Sequence, residues 1–152
     1  MINIVRATQD HLHGILRIGQ ELISSAWTHD FLLNEFVNSG SSFFVALNNN
    51  DILGFIILRT VGDDGEILQI AVDKNEQRKG IGDLLISSAV DYAAENNPES
   101  IFLEVRVSNT AAESLYRKHG FETVRIRKDY YNNPVEDALV MVRRKEKRYE
   151  SL

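Results

Sequence analysis

The chain has no cysteine. That absence removes disulfide staples, thiolate nucleophiles and thiolate metal sites at once, so any nucleophile must come from a substrate or from another residue type. No apolar run reaches the ~18 residues of a membrane-spanning helix, and the first residues do not place a basic stretch before an apolar one as an export signal does. These absences lead to the expectation of a cytoplasmic protein with no membrane partner. Histidine occurs four times, at 11, 13, 29 and 119, with no ligand spacing beyond His11-x-His13, and no metal is expected. Repeats, linkers and low-complexity segments are also missing. The 152 residues read as one domain, 1–152, ending in a basic tail from about 143.

What is present is an ordinary globular mixture, 43% hydrophobic and 26% charged. The charge is unevenly placed. Residues 1–142 hold 12 basic against 20 acidic side chains, while Arg143-Arg144-Lys145-Glu146-Lys147-Arg148 holds five basic ones. An acidic body attracts a basic peptide and repels bare nucleic acid, or serves only to keep the protein soluble. The tail reads as a solvated end, with a nucleic-acid or ribosome contact as its alternative.

In chain order, Ile2–Val5 reads as a strand. Thr8 or Asp10 caps a helix with apolar positions Leu12, Ile15, Leu16, Leu22 and Ile23, and Thr28 caps a second helix through Phe36. Strands at 42–47 and 52–58 form a hairpin around Asn48-Asn49-Asn50-Asp51, and Gly62-Asp63-Asp64-Gly65 turns into a strand at 66–72. A helix follows with the stripe Ile81, Leu84, Leu85, Ala89, Tyr92 and Ala93, then a strand at 101–105. This strand–helix–strand unit predicts a parallel pairing of 66–72 with 101–105. Asn109 or Thr110 starts another helix, Thr110 and Glu113 having capping-box spacing, and Gly120 ends it. A final hairpin joins 121–128 to 137–142.

The stretch Gln77-Arg78-Lys79-Gly80-Ile81-Gly82 lies between strand and helix. Glycines there let the backbone approach a ligand, and the helix start aims unpaired N–H groups and its positive dipole end into the same space. The result is an anion site, or a plain tight connection. No Lys-Ser/Thr follows the second glycine and no third glycine completes a dinucleotide fingerprint. The guest left is a pyrophosphate other than that of ATP or NAD.

Ile70-Ala71-Val72, this glycine loop, and Asn109 through Gly120-Phe121 resemble the GCN5-related N-acetyltransferase (GNAT) superfamily. The resemblance implies a mixed α/β fold, with a largely antiparallel sheet that opens between 66–72 and 101–105, flanked by helices. It implies acetyl-CoA as co-substrate. Its pyrophosphate would lie on the loop Arg78, Lys79, Gly80, Ile81, Gly82 and Asp83, and its pantetheine arm beside Ile70, Ala71 and Val72, with Asn109 contacting it. Lys74 stands where many members have proline, and Asp83 where a small or basic residue is usual, which would weaken a side-chain contact but leave the amides intact.

A narrower resemblance is to the ribosomal-protein alanine N-acetyltransferases within that superfamily. Ala26-Trp27-Thr28, Leu103 through Asn109, Ala112 with Leu115-Tyr116, Arg127 through Tyr131, and Glu136-Asp137-Ala138 carry it. It implies transfer of an acetyl group to the N-terminal alanine of a small-subunit ribosomal protein whose start is basic. Such chemistry needs a base for the amine and an acid for the departing thiolate. Strand alternation sets Glu104 opposite Leu103 and Val105, where it serves as the base or is merely solvated. Tyr116, with an ordinary phenol pKa of ~10, is the acid or a packed ring.

Tyr130 and Tyr131 bind the incoming peptide or stabilise a twisted strand pair, and Trp27 lines the substrate groove or anchors the core. Direct attack by the amine is expected, with no acetyl-enzyme. The alternatives are a GNAT acting on lysine or a small amine, and a silent CoA-binding module.

Overall fold

The computed structural model describes residues 1–145. In chain order these form β1 (Ile2–Arg6), α1 (Leu12–Leu22), α2 (His29–Phe36), β2 (Ser41–Asn48), β3 (Asp51–Val61) and β4 (Asp64–Val72). There follow α3 (Ile81–Ala94), β5 (Ser100–Arg106), α4 (Thr110–Lys118), β6 (Glu122–Tyr131) and β7 (Glu136–Arg144). The strands make one sheet in the order β1-β2-β3-β4-β5-β7-β6, antiparallel everywhere except between β4 and β5.

Two apolar clusters sandwich the sheet. On one face α3 and α4 cover it, with Ile81, Leu85, Ile86 and Tyr116 packed on Ile56, Leu58, Ile67 and Leu103. On the other, α1 and α2 bring Leu12, Ile15, Ile18 and Leu32 onto Phe43, Val45, Phe55 and Ile57. β2 and β3 are therefore apolar on both faces. Each fully buried Leu, Ile or Phe stabilises by roughly 1.5–3 kcal/mol relative to exposure.

A bulge in β4 marks the opening of the sheet. Ile57 pairs with Gln69 but Leu58 pairs with Ile67, so Leu68 is an extra residue in β4. A bulge bends its strand and breaks the ladder. β4 and β5 pair only at Gly65–Ile101 and Glu66–Phe102, just before that bulge, and then part. Beyond this point β4 has a free edge facing β5, whose other edge is fully paired with β7.

Several details differ from the sequence reading. Leu84 is exposed, and Ile86 takes its place in the core, because the stripe of α3 is centred one position later. Asn109, not Thr110, caps α4: its Oδ1 accepts from Ala112 N–H at 3.1 Å, while Glu113 pairs with Arg117 instead of closing a box. Only Gly62 and Asp63 lie between Val61 and Asp64, which are paired, so that turn is tighter than four residues. Two residues expected in the basic tail are part of the sheet. Arg143 and Arg144 are in β7, the Arg143 Nε donates to the His119 carbonyl at 3.1 Å, and Lys145 N–H bonds Glu99. Residues 146–152 lie outside the described part.

Trp27 is a core residue. Its ring packs on Phe31 and Phe55 at 5.5 and 6.0 Å, and Gly19 leaves the room, since a Cβ there would collide with the indole. The substrate-groove alternative for Trp27 is thereby corrected: α1, α2 and β3 enclose it, and it lines neither groove described below.

Candidate active site

Where β4 and β5 part, two grooves meet. The first, of about 550 Å3, runs from the free edge of β4 to the start of α3 and is lined by Ile70, Ala71, Val72, Arg78, Gly80, Ile81, Gly82, Asp83, Asn109 and Tyr116. The second, of about 370 Å3, lies on the α1–α2 face and is lined by Leu68, Gln69, Glu104, Arg106, Tyr130 and Tyr131. Ile70, Asn109 and Tyr116 border both, and Leu22 and Ile23 at the end of α1 roof the junction.

In the first groove the loop before α3 uses two left-handed residues, Arg78 (φ 66°) and Gly80 (φ 81°). Nothing lies within 4 Å of a Cβ placed on Gly80, so its glycine is required by conformation alone. Gly82 has the opposite reason: a Cβ there would come within 3.0 Å of Leu115 Cδ2, so it lets α4 approach α3. The first amides of α3 have no intrahelical acceptor and add to the helix dipole. The loop is a donor set for an anion. Lys79 is not part of that lining. Its Nζ pairs with Glu76 at 2.8 Å, whereas Gln77 lines the groove and donates to the Val72 carbonyl at 3.2 Å.

Asp83 puts a carboxylate beside this anion site, and the structure offsets it. Lys118 Nζ and His119 Nε2 each lie 2.9 Å from Oδ1, and these hydrogen bonds hold its pKa below the usual value. His119, at the C-cap of α4, thus also ties α4 to α3.

In the second groove Glu104 projects from β5 on the face opposite Leu103 and Val105, which are buried. Arg127 Nη1 lies 3.2 Å from its Oε1. Glu66, the last residue of β4 paired with β5, has its carboxyl pushed up by burial and then by the Glu104 charge. Tyr130 and Tyr131 stand edge to face at 5.0 Å, one ring under Arg127 (4.6 Å) and the other under Arg106 (4.4 Å). Both phenols are raised by burial, Tyr131 up to about 12.

Tyr116 is the shared wall. It is 5% exposed and packs against Phe121, and burial raises its phenol well above the ordinary tyrosine range, with Tyr131 adding to the effect. The ordinary phenol acidity expected from sequence is corrected accordingly: burial at the junction of the two grooves raises it.

Sequence reading missed Arg127, Arg106, Leu22 and Ile23. The first two were inside matched motifs but had no assigned role, because their partners come from strands 23 to 30 residues away. Leu22 and Ile23 read only as helix stripe.

Comparison with known proteins gives four likenesses that agree. A family model described as the acetyltransferase (GNAT) family matches residues 11–121. A ribosomal protein bS18-alanine N-acetyltransferase of Haemophilus influenzae is 36% identical over 132 residues, spanning 84% of this chain and 88% of its own. An N-alpha-acetyltransferase of Saccharolobus solfataricus is 31% identical over 150 residues, 90% of this chain and 89% of that one. Among solved structures, the ribosomal-protein-alanine N-acetyltransferase crystal structure from Escherichia coli matches with a TM-score of 0.88 at 28% identity, over 100% of this chain and 99% of that one.

Proposed function

The chain belongs to the acetyltransferase (GNAT) family, and from that premise we propose that it acetylates the N-terminal α-amine of a basic ribosomal protein beginning with alanine. It is an N-acetyltransferase with acetyl-CoA as co-substrate. The observation that carries the proposal is the meeting of two open grooves at Tyr116, with Glu104 on one side and the α3 amide loop on the other. The full-length likeness to the Haemophilus influenzae alanine N-acetyltransferase points the acceptor toward a peptide N-terminus. No helix among the described residues is long and apolar enough to cross a membrane.

The residues present fit the co-substrate. The α3 amides at Ile81, Gly82 and Asp83, with Arg78, would hold the pyrophosphate, the Asp83 charge being met by Lys118 and His119. The free edge of β4 at Ile70, Ala71 and Val72 would take the pantetheine arm, and Asn109 would border it. Bound acetyl-CoA supplies an activated acyl thioester.

This chain's own groups manage protons. An α-amine of pKa ~8 is mostly protonated at neutral pH. Glu104 accepts its proton, directly or through one water, and Tyr116 Oη holds the proton that the leaving sulfur requires. Tyr130 and Tyr131 form the peptide side of the groove. The amine attacks directly, and no residue carries the acetyl group.

The test is thiol release from acetyl-CoA with three amines: a basic peptide beginning with alanine, the same peptide N-terminally blocked but carrying lysines, and a polyamine. Mass spectrometry locates the acetyl group. Turnover confined to the free alanine peptide is expected, and turnover on either of the other two in its place would sink the substrate assignment.

A further inference from the structure

Arg106 ends β5 two residues after Glu104, on the same face, and lines the acceptor groove. Its guanidinium makes three hydrogen bonds to the β6–β7 connection and the first residue of β7. Nη1 donates to the Pro134 carbonyl at 3.0 Å and to Glu136 Oε1 at 3.1 Å, and Nη2 donates to the Asn132 carbonyl at 3.0 Å. Its plane lies over the Tyr131 ring with Cζ 4.4 Å from the centroid. Glu136 uses its other oxygen to accept from Ser108 N–H at 2.7 Å. Asn109 N–H in turn bonds the Arg106 carbonyl at 2.9 Å, and Asn109 caps α4, the helix that carries Tyr116.

We infer that Arg106, with Glu136, is the positioning residue that sets the acceptor wall at Tyr131 against the α4 cap, and so selects how the acceptor peptide enters. The inference rests on the N-terminal acetyltransferase reading above. Nothing in that reading assigns a role to either residue. The chemistry requires arginine: two backbone carbonyls, one carboxylate and one aromatic face are met at once by a planar five-donor fork, and an ammonium can satisfy only part of this set. The side-chain contacts fall on the hairpin and on the Ser108 turn, and the bond to Asn109 of the acetyl-CoA groove is made by the Arg106 backbone carbonyl, which a side-chain substitution keeps. Loss of the clamp should therefore loosen the acceptor side and leave the acetyl-CoA side in place.

The experiment compares wild type, Arg106→Lys and Glu136→Gln with varied alanine peptide and varied acetyl-CoA. Arg106→Lys keeps the charge and should remain folded. Its peptide KM is expected to rise by about tenfold or more, since small misplacement of an orienting wall is costly, with the acetyl-CoA KM unchanged within error. Glu136→Gln should give a smaller rise, and the double variant should show less than the product of the two, because both act through one cluster. Unchanged KM values in Arg106→Lys, or equal increases for both substrates, would overturn the inference. Failure of wild type to acetylate the alanine peptide would overturn the substrate reading and this inference with it, so the two failures are distinguished by the wild-type control.

Discussion

Arg127 closes over Glu104: the guanidinium Nη1 sits 3.2 Å from the carboxylate Oε1 while the same guanidinium stacks on Tyr130. The base candidate is thus held by a cation from β6 that also packs on the Tyr130 ring. An arriving ammonium competes for the same carboxylate. Arg127→Gln removes both the ion pair to Glu104 and the cation over the Tyr130 ring. The peptide KM should therefore rise while the acetyl-CoA KM holds, and Arg127→Lys, which keeps the charge but not the planar fork, should show a smaller rise. An unchanged peptide KM in Arg127→Gln would mean that this pair does not order the acceptor side.

Glu104→Gln should lower kcat by about 10²–10⁴, the span of general base catalysis, and leave acetyl-CoA binding intact because Glu104 borders only the acceptor groove. Tyr116→Phe should also lower kcat, by on the order of 10². Calorimetric titration with acetyl-CoA separates binding from chemistry. A kcat close to wild type in either variant would remove that residue from the proton path.

The buried phenols give the protein an alkaline limit. Tyr131 is raised to about 12 and Tyr116 is raised further in the same direction, each first by burial. An unfolded tyrosine titrates near ~10, and a group with a raised folded pKa contributes stability that is complete below the unfolded value and lost as pH rises through the folded one. The thermal midpoint should hold up to about pH 10 and then fall. Tyr131→Phe, followed by calorimetry from pH 8 to 11, should flatten that decline; an equally steep decline would locate the sensitivity elsewhere.

The framework was legible because its signals are local. Hydrophobic period, the Thr28 cap and the glycine loop each act within a few residues, and they place α2, α3 and the strands within one to three positions. The parting of β4 and β5 was legible only through family resemblance, since the Leu68 bulge depends on the register with β3. The site cations Arg127 and Arg106 belong to the same class, their roles arising from strand pairs such as Arg127–Ala138 and Arg106–Ala138, which meet on one face after the sheet forms. Trp27 was ambiguous for a different reason: a lone aromatic beside a cap gives no period, and its burial is decided by Gly19 on the preceding helix.

That burial makes Trp27 a stability residue. Trp27→Ala should cost about 3–5 kcal/mol, as large-to-small core changes do, and Gly19→Ala should cost ~1–3 kcal/mol by overpacking against the same ring. Urea unfolding measures both. In the folded fraction, the peptide KM of a milder Trp27→Phe should stay within a factor of about two, for the cavity term acts on stability. A rise in peptide KM without loss of stability would return Trp27 to the groove.

The two glycines of the loop make the sharpest separation. Gly80 needs its left-handed backbone and nothing else, so Gly80→Ala strains the loop by roughly 1–2 kcal/mol and turns the α3 amides away from their anion. Its acetyl-CoA KM should rise while the peptide KM holds. Gly82→Ala keeps ordinary helical geometry but pushes on Leu115 at 3.0 Å, and Leu115 is one residue from Tyr116. Its effect should reach kcat through α4 as well as acetyl-CoA binding. Titrating both variants with CoA and measuring turnover side by side distinguishes an amide cradle from simple helix packing. If Gly80→Ala binds CoA as wild type does, the loop is a tight connection and the pyrophosphate lies elsewhere.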